Sequence, residues 1–268
     1  MIETFPIPIE DLIQDPSLTE LDLEDQLNLE TEDVDSADAA RRKALFQNNF
    51  LLNDAVLPEN PIKISRAQLE VLYDKVKHFP TNKKCLTGLL IHFASKIESN
   101  KYIFYPLFQP VFLRLNGYHD PSQKYTYVPV YKDKVFHFNG IEFVECKKIQ
   151  TPFLDEELEW KNNYKHKAKI RHSTDLTQPF ELFLDGTDSD GQLFTFQLIY
   201  ALMHDNGNNY FYLRNSMTEF LHDPLISLKH SLILSTDLIT ANGNFANKYA
   251  NRSHLCPPCA EFAYTLQS

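Results

Sequence analysis

A chain of 268 residues, 43% hydrophobic and 13% aromatic, holds ample apolar surface for a buried core in one large domain or two small ones, which excludes a wholly disordered protein. Its formal net charge of −10 is unevenly placed, because residues 1–40 carry thirteen Asp or Glu and no Lys or Arg; the 36 acids and 26 bases of the whole chain therefore leave 23 acids against 26 bases beyond it. The near-neutral body behind this anionic arm holds no basic block strong enough to argue for binding to nucleic-acid phosphates, and apolar runs such as "LTGLLIHFA" fall far short of the roughly 18 to 20 residues that a membrane-spanning helix needs.

The opening MIETFPIPIEDL carries acids where a secretory or transit leader carries bases, so no such leader is expected. Four cysteines (Cys85, Cys146, Cys256, Cys259) are too few for a disulfide scaffold and suit a reducing, cytoplasmic compartment. Residues 1–35 form an acidic arm with too little apolar surface to offset the entropy of ordering, and the expectation is a flexible segment. Leu12, Ile13, Leu18, Leu21, Leu23, Leu27 and Leu29 nonetheless recur among its acids. That interleaving suits a basic, partly apolar groove on a protein partner or on a neighbouring copy of the chain, with ordering coupled to binding.

The remainder, residues 36–268, reads as a single α+β globular domain. In its helical part, 36–99, Ser36 is placed to cap a helix from about Ala37 to Leu52, with Ala40, Leu45, Phe46, Phe50 and Leu51 on one side. Pro58 and Pro61 then break the chain. Ser65 and Gln68 make a capping-box pattern, after which Leu69, Leu72, Tyr73, Val76 and Phe79 line a helical face. Leu86, Leu89, Leu90, Phe93 and Ile97 repeat the spacing, so 65–98 is predicted to be an αα-hairpin.

Between 101 and 150 lie twelve of the 34 aromatic residues, cut by Pro106, Pro110, Pro121 and Pro129, which predicts an aromatic-rich antiparallel sheet over 100–200. In "KVFHFNGIEFVEC", Asn139-Gly140 predicts a hairpin with a type I′ turn. Glu156 or Glu157 is placed to pair with Lys161 along a helix, and "PFELFLDGTDSDGQLFTFQLIY" reads as two strands joined by an acidic turn. Residues 201–268 are mixed, with Asp223-Pro224 opening a C-terminal helix through "LISLKHSLILSTDLI". The cationic stretch Lys161 to His172 is a solvated face.

Chemistry is sparse. The Cys-Pro-Pro-Cys pair resembles a thioredoxin-like dithiol locally, but only nine residues follow Cys259, too few to complete that fold on the C-terminal side. His254, Cys256 and Cys259 offer three zinc ligands within six residues, and Cys85, Cys146, His222 or His230 would have to supply the fourth. Asp185, Asp188, Asp190 and Gly191 fail the calcium-loop spacing, and neither a phosphate-cradling glycine loop nor a G-x-S-x-G nucleophile is present.

"IRHS" at 170–173 followed by "ALMHDNG" at 201–207 resembles the His…His-Asp spacing of the HD-domain phosphohydrolases. The resemblance implies a divalent metal held by His172, His204 and Asp205, with Asp237 a fourth ligand, activating water on a phosphoester. Three readings follow. The favoured one is a non-catalytic assembly or adaptor protein, with no cofactor and no small-molecule substrate, binding through Leu12, Ile13, Leu18, Leu21, Leu23 and Leu27. The alternatives are the metal-dependent phosphohydrolase and a binding module clipped by zinc or another divalent metal. Metal content separates them: loss with His204→Ala supports the enzyme, loss with Cys256→Ser the clip.

Overall fold

The computed structural model describes residues 33–34, 36–58, 60–78, 85–115, 125–129, 134–147, 155–183, 190–205, 207–220, 227–236, 249–250 and 254–255. The acidic segment 1–32 lies outside them. In chain order the first elements are β1 (Asp33–Val34), α1 (Ser36–Asn49), β2 (Phe50–Leu52), β3 (Ile62–Ser65), α2 (Arg66–Tyr73), β4 (Cys85–His92), β5 (Ser95–Glu98), β6 (Lys101–Phe104), β7 (Leu107–Leu115) and β8 (Tyr125–Pro129). There follow β9 (Phe136–Phe138), β10 (Phe143–Glu145), α3 (Glu156–Lys167), β11 (Ala168–Ile170), β12 (Glu181–Leu182), β13 (Gly191–Thr195), α4 (Phe196–Asp205), β14 (Tyr210–Phe220), β15 (Ser227–Ser235), β16 (Tyr249–Ala250) and β17 (His254–Leu255).

These make a mixed α+β fold with antiparallel sheets. A five-stranded sheet runs β1-β16-β15-β14-β3, and a second runs β10-β9-β7-β4-β13-β17 with β8 also on β7. Smaller sheets are β12-β11-β2 and β5-β6. The two large sheets share one core. Phe211, Leu213, Met217, Leu228, Leu232 and Leu234 from the first join Leu89, Ile91, Phe108, Phe112 and Phe194 from the second in one buried cluster. No helix among the described residues is long and apolar enough to cross a membrane.

Helix α1 buries Ala39, Arg42, Phe46 and Asn49, spaced three and four apart. Two of these four are polar, which is why the stripe is not the one expected from apolar residues alone. Ser36 is the first helical residue, and the helix stops at Asn49 because Phe50–Leu52 straighten to pair with β11. The capping box of helix α2 forms as expected, with Gln68 N–H donating to the Ser65 hydroxyl at 3.3 Å and Ser65 N–H to Gln68 Oε1 at 2.8 Å, but the helix ends at Tyr73, short of Val76, and Phe79 lies outside the described residues. Asp155 caps α3, and Glu157 pairs with Lys161 at 2.5 Å one turn later.

The second half of the expected αα-hairpin is strand. β4 lies between β7 and β13, with Leu89, Leu90 and Ile91 all buried, so consecutive residues are apolar because both faces are covered. A short run of that kind imitates a helical face. The expected C-terminal helix is likewise strand β15, paired with β14 over its whole length. Leu228, His230, Leu232 and Leu234 face the core in a period of two, and the leucine content disguises it.

The two strands expected around the acidic turn belong to different sheets, since β12 pairs with β11 and β13 with β4 and β17. "FQLIYALMHD", the start of which was expected to be strand, is helix α4. The β9–β10 hairpin forms as expected, but Phe138 pairs with Phe143 across a four-residue loop. Gly140 alone takes positive φ there, and the Asn139 side chain accepts from the N–H groups of Ile141 and Glu142, both at 2.9 Å. Two adjacent positive-φ residues occur instead at Asn53-Asp54 and at Ser99-Asn100, the latter joining β5 to β6.

Candidate binding cleft

Among the polar residues with no exposed surface is His230 on β15. Its Nδ1 lies 2.6 Å from the Tyr164 hydroxyl and its Nε2 3.1 Å from Asn215 Oδ1. The amide oxygen can only accept, so the ring proton sits on Nε2 and Nδ1 accepts from the tyrosine. Phe46, Phe50, Phe93 and Phe104 surround the ring at centroid distances of 4.2–5.2 Å. Burial pulls its pKa down to about 3, so the imidazole is neutral. His92, bonded through Nε2 to Gln109 Oε1 at 2.9 Å, is pushed well below its usual value by burial and then by the Lys161 charge, against the opposing Gln109 bond. Both histidines are structural. Closed from solvent, they offer nothing to a substrate.

A more open feature lies where α1 meets β14 and the turn at 57–61. β3 pairs with β14 only from Tyr210 to Leu213, and Pro61 immediately before it has no N–H to extend the ladder. Beyond that point α1 packs on β14 instead. Arg42, almost fully buried, pairs with Asp38 at 2.6 Å and donates to the Thr218 hydroxyl at 3.1 Å. Burial raises the Asp38 carboxyl, but hydrogen bonds from Arg41 and Arg42 outweigh it and hold the pKa below its ordinary value. This pins the helix in place.

The cleft left between these elements is lined by Phe46, Leu57, Pro58 and Ile233, with Lys43 and Arg214 as its cations. Arg214 is positioned by a 2.9 Å bond from Nε to the Ser235 hydroxyl and by the Tyr212 ring, 5.3 Å from its guanidinium carbon. The cavity volume is about 30 Å³, room for two or three heavy atoms at roughly one per 10–15 Å³. That is enough for the tip of one aliphatic side chain.

Of the residues expected to carry metal, His172 and His204 have described side chains. His172, in the loop after β11, has Nδ1 3.0 Å from the Leu228 carbonyl oxygen, and His204 is exposed near the end of α4. Asp205 ends that helix, its side chain and the whole of Asp237 lying outside the described residues. Strand β13 occupies the interval where the phosphohydrolase resemblance implies helices. No group of three or more His, Cys, Asp or Glu able to hold a metal ion occurs among the described residues. His254 contributes backbone to β17, paired with Leu193, while Cys256, Cys259 and His222 lie outside the described residues.

Of the possible fourth zinc ligands, Cys146 is buried, which pushes its thiol up to about 12, and both ring nitrogens of His230 have hydrogen-bond partners within the core. Leu12, Ile13, Leu18, Leu21, Leu23 and Leu27 also lie outside the described residues. No protein-family model matches the chain, and no curated protein or solved structure matches it. Sequence reading passed over Lys43, Leu57 and Arg214. Nothing in their local sequence marks them, since the cleft is assembled from segments far apart in the chain.

Proposed function

We propose that the chain is a non-catalytic assembly or adaptor protein that engages a protein partner, or a neighbouring copy, through its acidic, leucine-containing N-terminal segment. One observation carries this reading: thirteen carboxylates and no base stand within the first forty residues, against a remainder that is slightly basic. Such segregation serves association, because the acids supply attraction and orientation while the interleaved leucines supply apolar burial. The segment orders on the partner, and the entropic cost of ordering keeps the affinity moderate and the exchange fast.

Asp33 and Val34 belong to β1, paired with Tyr249 and Ala250, so the appropriate truncation removes residues 1–32 and leaves the sheet its edge strand. That deletion is expected to leave the urea-unfolding midpoint unchanged while abolishing the complex seen by light scattering on the natively purified protein. An unchanged complex mass after the deletion would refute the proposal.

A further inference from the structure

We infer that Tyr105, His137 and Trp160 form an acid-sensitive clasp: a proton on His137 loosens the β5–β6 arm from β9 and α3. The arm is a sheet of its own. The β4–β7 ladder ends at His92 and Leu107, Pro106 has no N–H with which to extend it, and strand pairing resumes from Ser95 and Phe104. One bond, from Tyr105 N–H to the Ala94 carbonyl oxygen at 2.9 Å, bridges the break. A lone hairpin is marginal by itself, so the seat of this one depends on its side chains. Tyr102 and Phe104 pack against the core and keep any loosening local. Tyr105 holds the arm to β9 and α3.

The clasp is a chain of donors running one way. Lys96 pairs with Glu98 at 2.6 Å, and its ammonium lies 3.5 Å from the centre of the Tyr105 ring. Burial opposes that charge, but bonds to Glu98 and Tyr105 outweigh it and raise the Lys96 pKa. An ammonium can only donate, so the Tyr105 oxygen accepts from it, and the Tyr105 O–H donates to His137 Nδ1, 2.8 Å away. Trp160 closes the group, edge-on to Tyr105 at 5.3 Å and to His137 at 5.4 Å. A proton on Nδ1 turns the last bond against an oxygen that already takes a Lys96 proton. It also sets a third cation beside Lys96 and Lys147, with Glu156 of α3 as the opposing carboxylate, while the buried Cys146 thiol near Tyr105 stays neutral. Burial first, and the two lysines against Glu156, lower the His137 pKa, so the closed clasp holds a neutral ring and the open one takes up a proton below the ordinary value of about 6.5.

Hydrogen exchange on the full chain, expressed as protection against the intrinsic rate at each pH, tests this together with the emission of Trp160, the single tryptophan. Between pH 7 and pH 5, protection over 94–105 is expected to fall about tenfold, the factor for one pKa unit between closed and open forms, and the Trp160 emission to shift to the red. His137→Gln keeps an acceptor for the Tyr105 hydroxyl and cannot titrate, so both changes should vanish while β14 and β15 respond to pH as before. Should that variant fold poorly, Tyr105→Phe supplies the second reading: it should show at pH 7 the low protection that the unmodified chain reaches at pH 5. Equal protection of 94–105 at the two pH values in the unmodified chain overturns the inference. So does an equal fall in His137→Gln, which would assign the effect to the core histidines, or full protection in Tyr105→Phe.

Discussion

Replacing His230 with alanine is expected to lower the unfolding free energy at neutral pH by about 3–5 kcal/mol, the range for removing a large, fully enclosed side chain. The loss has two sources. Four phenylalanine rings lose the surface they pack on, and the Tyr164 hydroxyl and Asn215 amide oxygen lose their partner inside the core. Urea unfolding measures the total, and a change under about 1 kcal/mol would show that the site collapses around the deletion.

The same residue sets an acid limit. His230 has a folded pKa of about 3, whereas the unfolded chain takes up that proton near the ordinary histidine value of about 6.5. Its stabilising contribution is complete above pH 6.5 and is withdrawn as pH falls towards 3, because only the unfolded state gains a proton in that window. Each such histidine contributes a slope of about 1.4 kcal/mol per pH unit. His92 is shifted in the same direction, so both act together. The alanine variant should lose one proton's share of the slope between pH 6 and pH 4, and an identical slope would contradict the neutral assignment.

The second large effect is expected at Gln192 on β13. Its side-chain amide donates to the Leu232 carbonyl at 3.2 Å, and its Oε1 accepts from the Leu232 N–H, so one side chain satisfies both backbone groups of a residue in the other sheet. Among the described residues β16 meets β15 at Leu234, paired with Ala250. Gln192→Leu keeps the size but presents a hydrocarbon to two buried backbone groups, at about 1–3 kcal/mol each. A loss of roughly 2–5 kcal/mol is expected by urea unfolding, with faster amide exchange at Leu232. A stable variant with Leu232 still protected would show that another group takes over.

These positions mark where the sequence is readable and where it is not. Ser65 with Gln68 and Glu157 with Lys161 act within one helical turn, so α2 and α3 are visible in the letters. The Phe136–Glu145 hairpin is visible for the same reason, although Asn139 works through its side chain and not through positive φ. Leu89 to Ile91 and Leu228 to Leu234 are misleading because burial on two faces, or leucine on a strand, erases the difference between periods of 2 and 3.6. Asn53-Asp54 and Ser99-Asn100 form tight turns without glycine, which removes their usual signal. The cleft is the least legible feature. Lys43, Leu57 and Arg214 meet only because the pairing of β3 with β14 ends at Ile62 and Leu213 and α1 packs on the rest of β14, a consequence of topology that no short stretch encodes.

Native mass spectrometry of the purified protein, with Leu12, Ile13, Leu18, Leu21, Leu23 and Leu27 all changed to serine, tests the central claim most directly. The account predicts that the bound partner or second copy disappears from the spectrum while the unfolding midpoint stays where it was. A complex that survives all six substitutions would place the association surface elsewhere and contradict it.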